Sequence, residues 1–180
     1  IGRKIAEDLN IKFYNRDLVD EIIEEVGIPK EIMEKVEEGG TIAGKGAEGD
    51  VRGSFSKYAD LTDRAIHVQK QIIRKLAEKE SCVIIGRSAD YILKDRDDVL
   101  NVFIHGDMPE KTQRIMDLYN VGEKEAVKMM ADTDKRRMTN YNFYTDQKWG
   151  KASNYTLCLN SSQLGYNRCE KIIMECSCNP

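Results

Sequence analysis

The chain has 180 residues, enough for one domain with a real core and too few for two comfortable ones. Its 28 Lys and Arg nearly balance 31 Asp and Glu for a formal net charge of -3, so no global field draws it to nucleic acid or anionic membrane, and any anion site must be local. Apolar runs such as Cys82 to Ile85 fall far short of the roughly 18 residues of a membrane span, and the first residues are polar and charged, with no export signal among them.

In chain order, Ile1, Ile5 and Leu9 recur at helical spacing among charged residues and predict an amphipathic helix. No Ser, Thr, Asp or Asn caps it and no strand precedes it, so the chain is expected to begin inside an element. A short strand, Ile11 to Tyr14, follows, and then helices over about Asp17 to Val26 and Lys30 to Glu38, separated by Gly27 and Pro29. Gly39 to Gly53 is glycine-rich and aperiodic, the pattern of a flexible loop. A long helix, Ser56 to Lys79, carries Ile66, Ile72, Ile73 and Leu76, and leads into the buried-type strand Ser81 to Ile85.

A second such strand spans Val99 to His105. Asp107 as N-cap and Pro109 in the first turn open a helix to about Leu118. Gly122 to Ala131 is helical and continues into a basic, then aromatic, segment, Asp132 to Trp149. The strand Tyr155 to Leu159, a turn at Asn160, Ser161 and Ser162, and a helix from Tyr166 to Glu175 complete the chain. Short apolar strands alternating with helices predict an α/β fold, a doubly wound parallel sheet flanked by helices, in a single domain. Residues 15–58 form its helical and loop region after the first strand, and residues 132–150 a candidate lid.

The five cysteines are odd in number, and Cys82 and Cys158 sit in apolar runs as small hydrophobes, which fits a reducing, cytoplasmic setting. Cys169, Cys176 and Cys178 have no second pair or His to complete a tetrahedral zinc site, and read as exposed thiols at a helix end. No metal ligand is assigned.

Ligands of open α/β sheets bind beyond the carboxyl ends of the strands. The residues there are Asn15, Arg16 and Asp17; Gly86, Arg87 and Ser88; and His105, Gly106 and Asp107. Arg87 stands out, because a guanidinium behind a glycine at a strand end suits bidentate recognition of a phosphate or carboxylate, although an arginine simply paired with an acid has the same look. A second constellation is Asp132, Asp134, Lys135, Arg136 and Arg137, followed by Tyr141, Phe143, Tyr144 and Trp149. Three consecutive cations on a mobile segment could neutralise a transferred phosphoryl group, and the aromatics could stack on a base; a plain surface helix carries such a knot as well.

Gly39, Gly44 and Lys45 satisfy the start of a phosphate-loop motif, but Gly46 stands where a Ser or Thr would hold Mg²⁺. No buried strand precedes the motif and no helix opens directly after it, so it reads as a flexible loop.

Taken in order, the helix Ile1 to Leu9, the run Ile11-Lys12-Phe13-Tyr14-Asn15-Arg16-Asp17-Leu18, the run Cys82-Val83-Ile84-Ile85-Gly86-Arg87, and Asp134-Lys135-Arg136-Arg137 resemble the cytidylate kinase-like family of P-loop kinases. The resemblance implies a strand and phosphate loop immediately before Ile1, ATP and Mg²⁺ as cofactors, and nucleotide substrates as partners, with neither nucleic acid nor membrane among them. It implies that Arg87 holds the acceptor phosphate and that Arg16, Asp17 and Ser88 lie at the acceptor pocket. It further implies that Arg114 serves the donor nucleotide, that Lys135, Arg136 and Arg137 are catalytic lid cations, and that Asn160, Ser161 and Ser162 form the loop passing the donor adenine.

The implied activity is phosphorylation of a nucleoside monophosphate, CMP or dCMP first. Ser88 and Asn15 stand where cytidylate kinases carry Asp, which puts cytidine specificity in question. The rivals are a nucleotide-binding regulatory module of the same fold that is catalytically weak, and a kinase of a non-nucleotide acceptor.

Overall fold

Ile5 and Ala6, adjacent on a short helix and both buried, begin the core in a computed structural model that describes residues 1–25, 27–29, 32 and 52–178, with backbone alone for Arg16, residues 52–61 and Cys178. The helix expected over Lys30 to Glu38, most of the loop expected over Gly39 to Gly53, and the Gly39, Gly44, Lys45 motif lie outside the described residues, apart from Ile32, which is buried.

The elements in order are α1 (Gly2–Asp8), β1 (Lys12–Tyr14), α2 (Arg16–Glu25), α3 (Arg52–Lys79), β2 (Cys82–Ile84), α4 (Ala89–Ile92), β3 (Val102–His105), α5 (Met108–Tyr119), α6 (Glu123–Tyr144), β4 (Leu157–Asn160), α7 (Ser161–Leu164) and α8 (Tyr166–Cys178). The protein is a mixed α/β structure rich in helix. Among the described residues the strands form two parallel pairs, β1 with β2 and β3 with β4, which match the doubly wound parallel sheet expected from sequence in their parallel sense only. The backbone gathers into two units, Ile11–Leu93 and the remainder, Ile1–Asn10 with Lys94–Pro180.

In the Ile11–Leu93 unit, β1 and β2 run in register from Lys12 opposite Cys82 to Tyr14 opposite Ile84. Val19 and Ile23 of α2, four apart, are fully buried and face the stripe Ala65, Gln69, Ile72 and Ile73 of α3, spaced i, i+4, i+7 and i+8. Fully burying one such side chain stabilises by about 1.5–3 kcal/mol. Helix α2 ends on a Schellman motif: Gly27, at φ +87°, donates to Glu24 O at 2.9 Å and Ile28 donates to Ile23 O at 3.4 Å. Helix α3 starts at Arg52, so Arg52 and Gly53, read from sequence as loop, are its first turn.

In the other unit, β3 and β4 pair from Val102 opposite Leu157 to His105 opposite Asn160. The expected strand start at Val99 moves to Val102 because Asn101 O accepts from both Thr156 N and Leu157 N, at 2.8 and 3.1 Å, and the ladder begins only there. Asp107 stands at the N-cap position of α5 with Pro109 in its first turn, as predicted, but its carboxylate makes no cap hydrogen bond and accepts instead from Asn160 and Gln163. Helix α6 is continuous over 22 residues, with acidic Glu123 and Glu125 suited to its first turn, and it carries the charged knot within its span. Helices α1 and α8 pack together, and Ile5, Ala6, Cys169 and Ile173 are their buried residues. The thiols therefore differ from the sequence reading: Cys169 is buried and Cys158 is exposed, because alternate residues of β4 point to opposite sides and Leu159 takes the inner one. No helix among the described residues is long and apolar enough to cross a membrane.

Candidate functional site

The Ile11–Leu93 unit gathers most of the predicted acceptor residues where β2 ends. Gly86, Arg87 and Ser88 have φ of +76°, +56° and +53°, three successive left-handed residues of which two carry side chains. Each such non-glycine residue costs on the order of 1–2 kcal/mol and persists only where the surroundings over-determine it. Two contacts do so. Gln69 Nε2 donates to Arg87 O at 3.1 Å, and the Arg87 guanidinium donates through Nη2 to Asp20 Oδ2 of α2 in an ion pair.

Only 6 % of the Arg87 side chain and 13 % of Asp20 reach solvent. Burial pulls the Arg87 pKa below its ordinary value, while Asp20 and then Asp17 push it back up, so the carboxylates are what keep a buried cation tolerable. The turn passes into α4, whose Ala89 and Ile92 are buried, a helix the sequence reading missed because Arg87 and Ser88 before it resemble loop.

Asp17 is exposed in the first turn of α2, and Arg16 opens that helix with its side chain outside the described atoms. Asn15 serves the fold: its Oδ1 accepts from Leu18 N at 3.0 Å, an N-cap. Asp20 and Gln69 were not anticipated from sequence. The available signal for Gln69 is a lone amide in the apolar stripe of α3; for Asp20 it is an acid one turn after Asp17, beside the buried Val19.

In the other unit, Asn160, Ser161 and Ser162 close onto the end of β3. Asn160 Oδ1 caps α7, accepting from Ser162 N and Gln163 N at 3.0 and 3.3 Å, and its Nδ2 donates to Asp107 Oδ1 at 2.9 Å. Gln163 Nε2 donates to Asp107 Oδ2 at 2.7 Å, Asp107 N to Ser162 Oγ at 2.8 Å, and Ser161 Oγ to His105 O at 2.9 Å. Hydrogen bonds from Asn160 and then Gln163 hold the Asp107 carboxyl below the usual range. A Cβ at Gly106 would come within 3.1 Å of Ser162 Oγ, so the glycine permits this close approach.

Lys135, Arg136 and Arg137 are exposed on α6. Arg136 donates to Thr133 Oγ1 at 3.4 Å, while Asp134 is shared between Arg137 at 3.3 Å and Lys111 of α5 at 3.7 Å. Arg114 is exposed and makes no side-chain hydrogen bond or ion pair among the described residues. The aromatic run divides. Buried Tyr141 donates to Gln147 Oε1 at 2.8 Å, and Trp149 packs edge-on against Phe103 of β3 with centroids 5.6 Å apart, whereas Phe143 is 60 % exposed. The helix ends at Tyr144, the next residue Thr145 being extended, and the Thr145 hydroxyl donates to Tyr141 O at 2.6 Å.

The described residues thus place a buried, acid-paired arginine at one strand end and exposed cations on a long helix. The chain belongs to the cytidylate kinase-like family, whose sequence profile matches residues 1–163. It is also similar to the crystal structure of an uncharacterized protein from Eubacterium ventriosum ATCC 27560, at 29% identity and a TM-score of 0.76 over 99% of this chain and 89% of that one. No curated protein matches it.

Proposed function

We propose that the protein is an ATP- and Mg²⁺-dependent phosphotransferase whose acceptor is a nucleoside monophosphate, CMP or dCMP first. The observation that carries this reading is the over-determined Arg87: a guanidinium fixed at a strand end by a left-handed turn, Gln69 and Asp20, as a preset anion ligand should be. In this reading Arg87 holds the acceptor phosphate, and Arg16, Asp17 and Ser88 border the acceptor. Arg114 and the Asn160 to Ser162 turn serve the donor, and Lys135, Arg136 and Arg137 neutralise charge on the transferred group.

ATP would supply the phosphoryl group. The fixed backbone of the Asn160 to Ser162 turn and the uncommitted Arg114 suit a nucleotide's base and phosphates. Among the described residues no three His, Cys, Asp or Glu side chains gather as a metal site, and Mg²⁺ of this kind takes most of its ligands from phosphates and water, so no residue is assigned to it.

A second reading is favoured by Asn15, whose side chain is used as a helix cap where cytidylate kinases have an acceptor Asp; this suits a non-nucleotide acceptor or a module with weak turnover. The deciding experiment is steady-state kinetics of the full-length protein with ATP, Mg²⁺ and a panel of acceptors. Arg87→Ala should raise the KM for CMP by roughly 10- to 150-fold, the equivalent of about 1.5–3 kcal/mol for a hydrogen bond to a charged group, with the KM for ATP little changed. Unchanged acceptor kinetics in that variant would remove Arg87 from the acceptor site.

A further inference from the structure

The Arg87 guanidinium needs more than its own backbone to point in one direction. Its side chain has four rotatable bonds, and a fork that recognises a tetrahedral anion must be held within about 10–20° of its working orientation. Asp20, on the second turn of α2, supplies that restraint by accepting from Nη2, and it does so from a nearly buried position, beside the buried Val19 and one turn from Ile23. Gln69, on α3, fixes the other end of the same residue through its carbonyl.

The two helices that carry these side chains pack against each other, so the Arg87 head and backbone are both held by one packed pair. A purely architectural role explains this poorly. Buried ion pairs contribute little to stability compared with apolar residues of the same volume, and the left-handed backbone at Arg87 and Ser88 adds a cost that an ordinary turn would avoid.

We propose that Asp20 is a positioning residue for Arg87: its carboxylate orients the guanidinium and offsets its buried charge, so that the fork is already set when the acceptor's anionic group arrives. The proposal rests on Arg87 being the acceptor-anion ligand. Asp20 touches no substrate in this scheme; it acts only through Arg87, and Gln69 is its counterpart on the backbone side.

The test is a double-mutant cycle in the full-length protein, with CMP and ATP varied separately and thermal melting run on every variant. Asp20→Asn keeps the size and one acceptor oxygen but removes the charge; it should raise the KM for CMP at least tenfold and leave the KM for ATP within twofold. In the Arg87→Ala background the same substitution should change the KM for CMP by less than twofold, because there is no fork left to orient. An Asp20→Asn variant that melts lower yet keeps the wild-type KM for CMP, while Arg87→Ala raises it, would overturn the positioning role and leave the acceptor assignment of Arg87 standing. Effects that multiply in the double variant would also overturn it, since Asp20 would then act independently of Arg87.

If Asp20→Asn does not fold, Asp20→Glu and Gln69→Leu carry the same test. The first keeps the charge with the geometry displaced and the second loses only the bond to the Arg87 carbonyl; each should raise the KM for CMP and spare that for ATP, and wild-type acceptor kinetics in both would refute the proposal. Absence of CMP turnover by the wild type, or an Arg87→Ala variant without effect, tells instead against the acceptor reading, and the proposal falls with it.

Discussion

Asn160 holds the turn after β4 with one side chain doing two things, and its two substitutions should come apart. Its Oδ1 accepts from two backbone donors of the four-residue α7 at 3.0 and 3.3 Å, while Nδ2 donates to Asp107 at 2.9 Å. Asn160→Ala removes the cap, which costs about 1 kcal/mol, and for a chain of this size that lowers Tm by about 2–4 °C at neutral pH.

Asn160→Asp keeps the cap acceptors but places a second carboxylate against Asp107. In the wild type the depressed Asp107 pKa means stability that is present above the ordinary carboxylate range and lost as pH falls through the folded-state value. In Asn160→Asp the sign reverses: two carboxylates so close cannot both ionise cheaply, so the variant should lose Tm relative to wild type as pH rises from about 3 to 7. Differential scanning fluorimetry across that range reads both effects. An Asn160→Ala variant melting with the wild type, or an Asn160→Asp deficit that does not grow with pH, would refute this account of the turn.

Tyr14 donates to Glu80 Oε1 at 2.9 Å, and burial and that bond push its pKa up to about 12. A raised folded-state value contributes stability that is full below the unfolded tyrosine pKa near 10 and is lost as pH climbs toward 12, so Tyr14→Phe should cost about 1 kcal/mol at pH 8 and converge on wild type in alkaline chemical denaturation; a gap constant with pH would contradict it. Arg136→Ala and Arg137→Ala should lower kcat about 10- to 1000-fold while weakening binding of either nucleotide alone much less, because contacts to developing charge mature in the transition state. Hydrogen exchange over residues 132–149, free and with an ATP analogue plus CMP, checks the same assignment: equal protection in both states would leave a static surface helix.

The sequence read well where one periodicity dominates. Ile11 to Tyr14 and Cys82 to Ile85 are short apolar runs bounded by polar residues, and Asp107 with Pro109 is a strong helix start; all three stand within a residue or two of their expected places. It read poorly where tertiary partners decide. The start of β3 depends on Thr156 and Leu157, more than fifty residues away. The cluster around Arg87 shows the same division. Arg87 could be chosen from its strand end and its glycine, both local signals, but Asp20 lies 67 positions away, and its place one turn after Asp17 beside Val19 says nothing of a partner until the two helices are packed.

The two groups of cations differ in physics as well as in place. Arg87 is taken out of water, so its charge would be costly without Asp20, and the pair is fixed because breaking either side would leave the other buried alone, at roughly 3–5 kcal/mol. Lys135, Arg136 and Arg137 remain in water on α6, where an exposed pair such as Arg137 with Asp134 is worth about 0.2–1 kcal/mol and falls with salt. Thr133 and Asp134 can therefore be exchanged for a ligand's oxygens at almost no cost. In the proposed reading, a chain of near-balanced charge would handle anions by such local means, one cation buried and oriented by its carboxylate partner and the others left in water. On that reading, discriminating between acceptors would fall to the first kind, because a fixed fork favours one geometry over another, and charge neutralisation to the second, because it needs proximity more than direction.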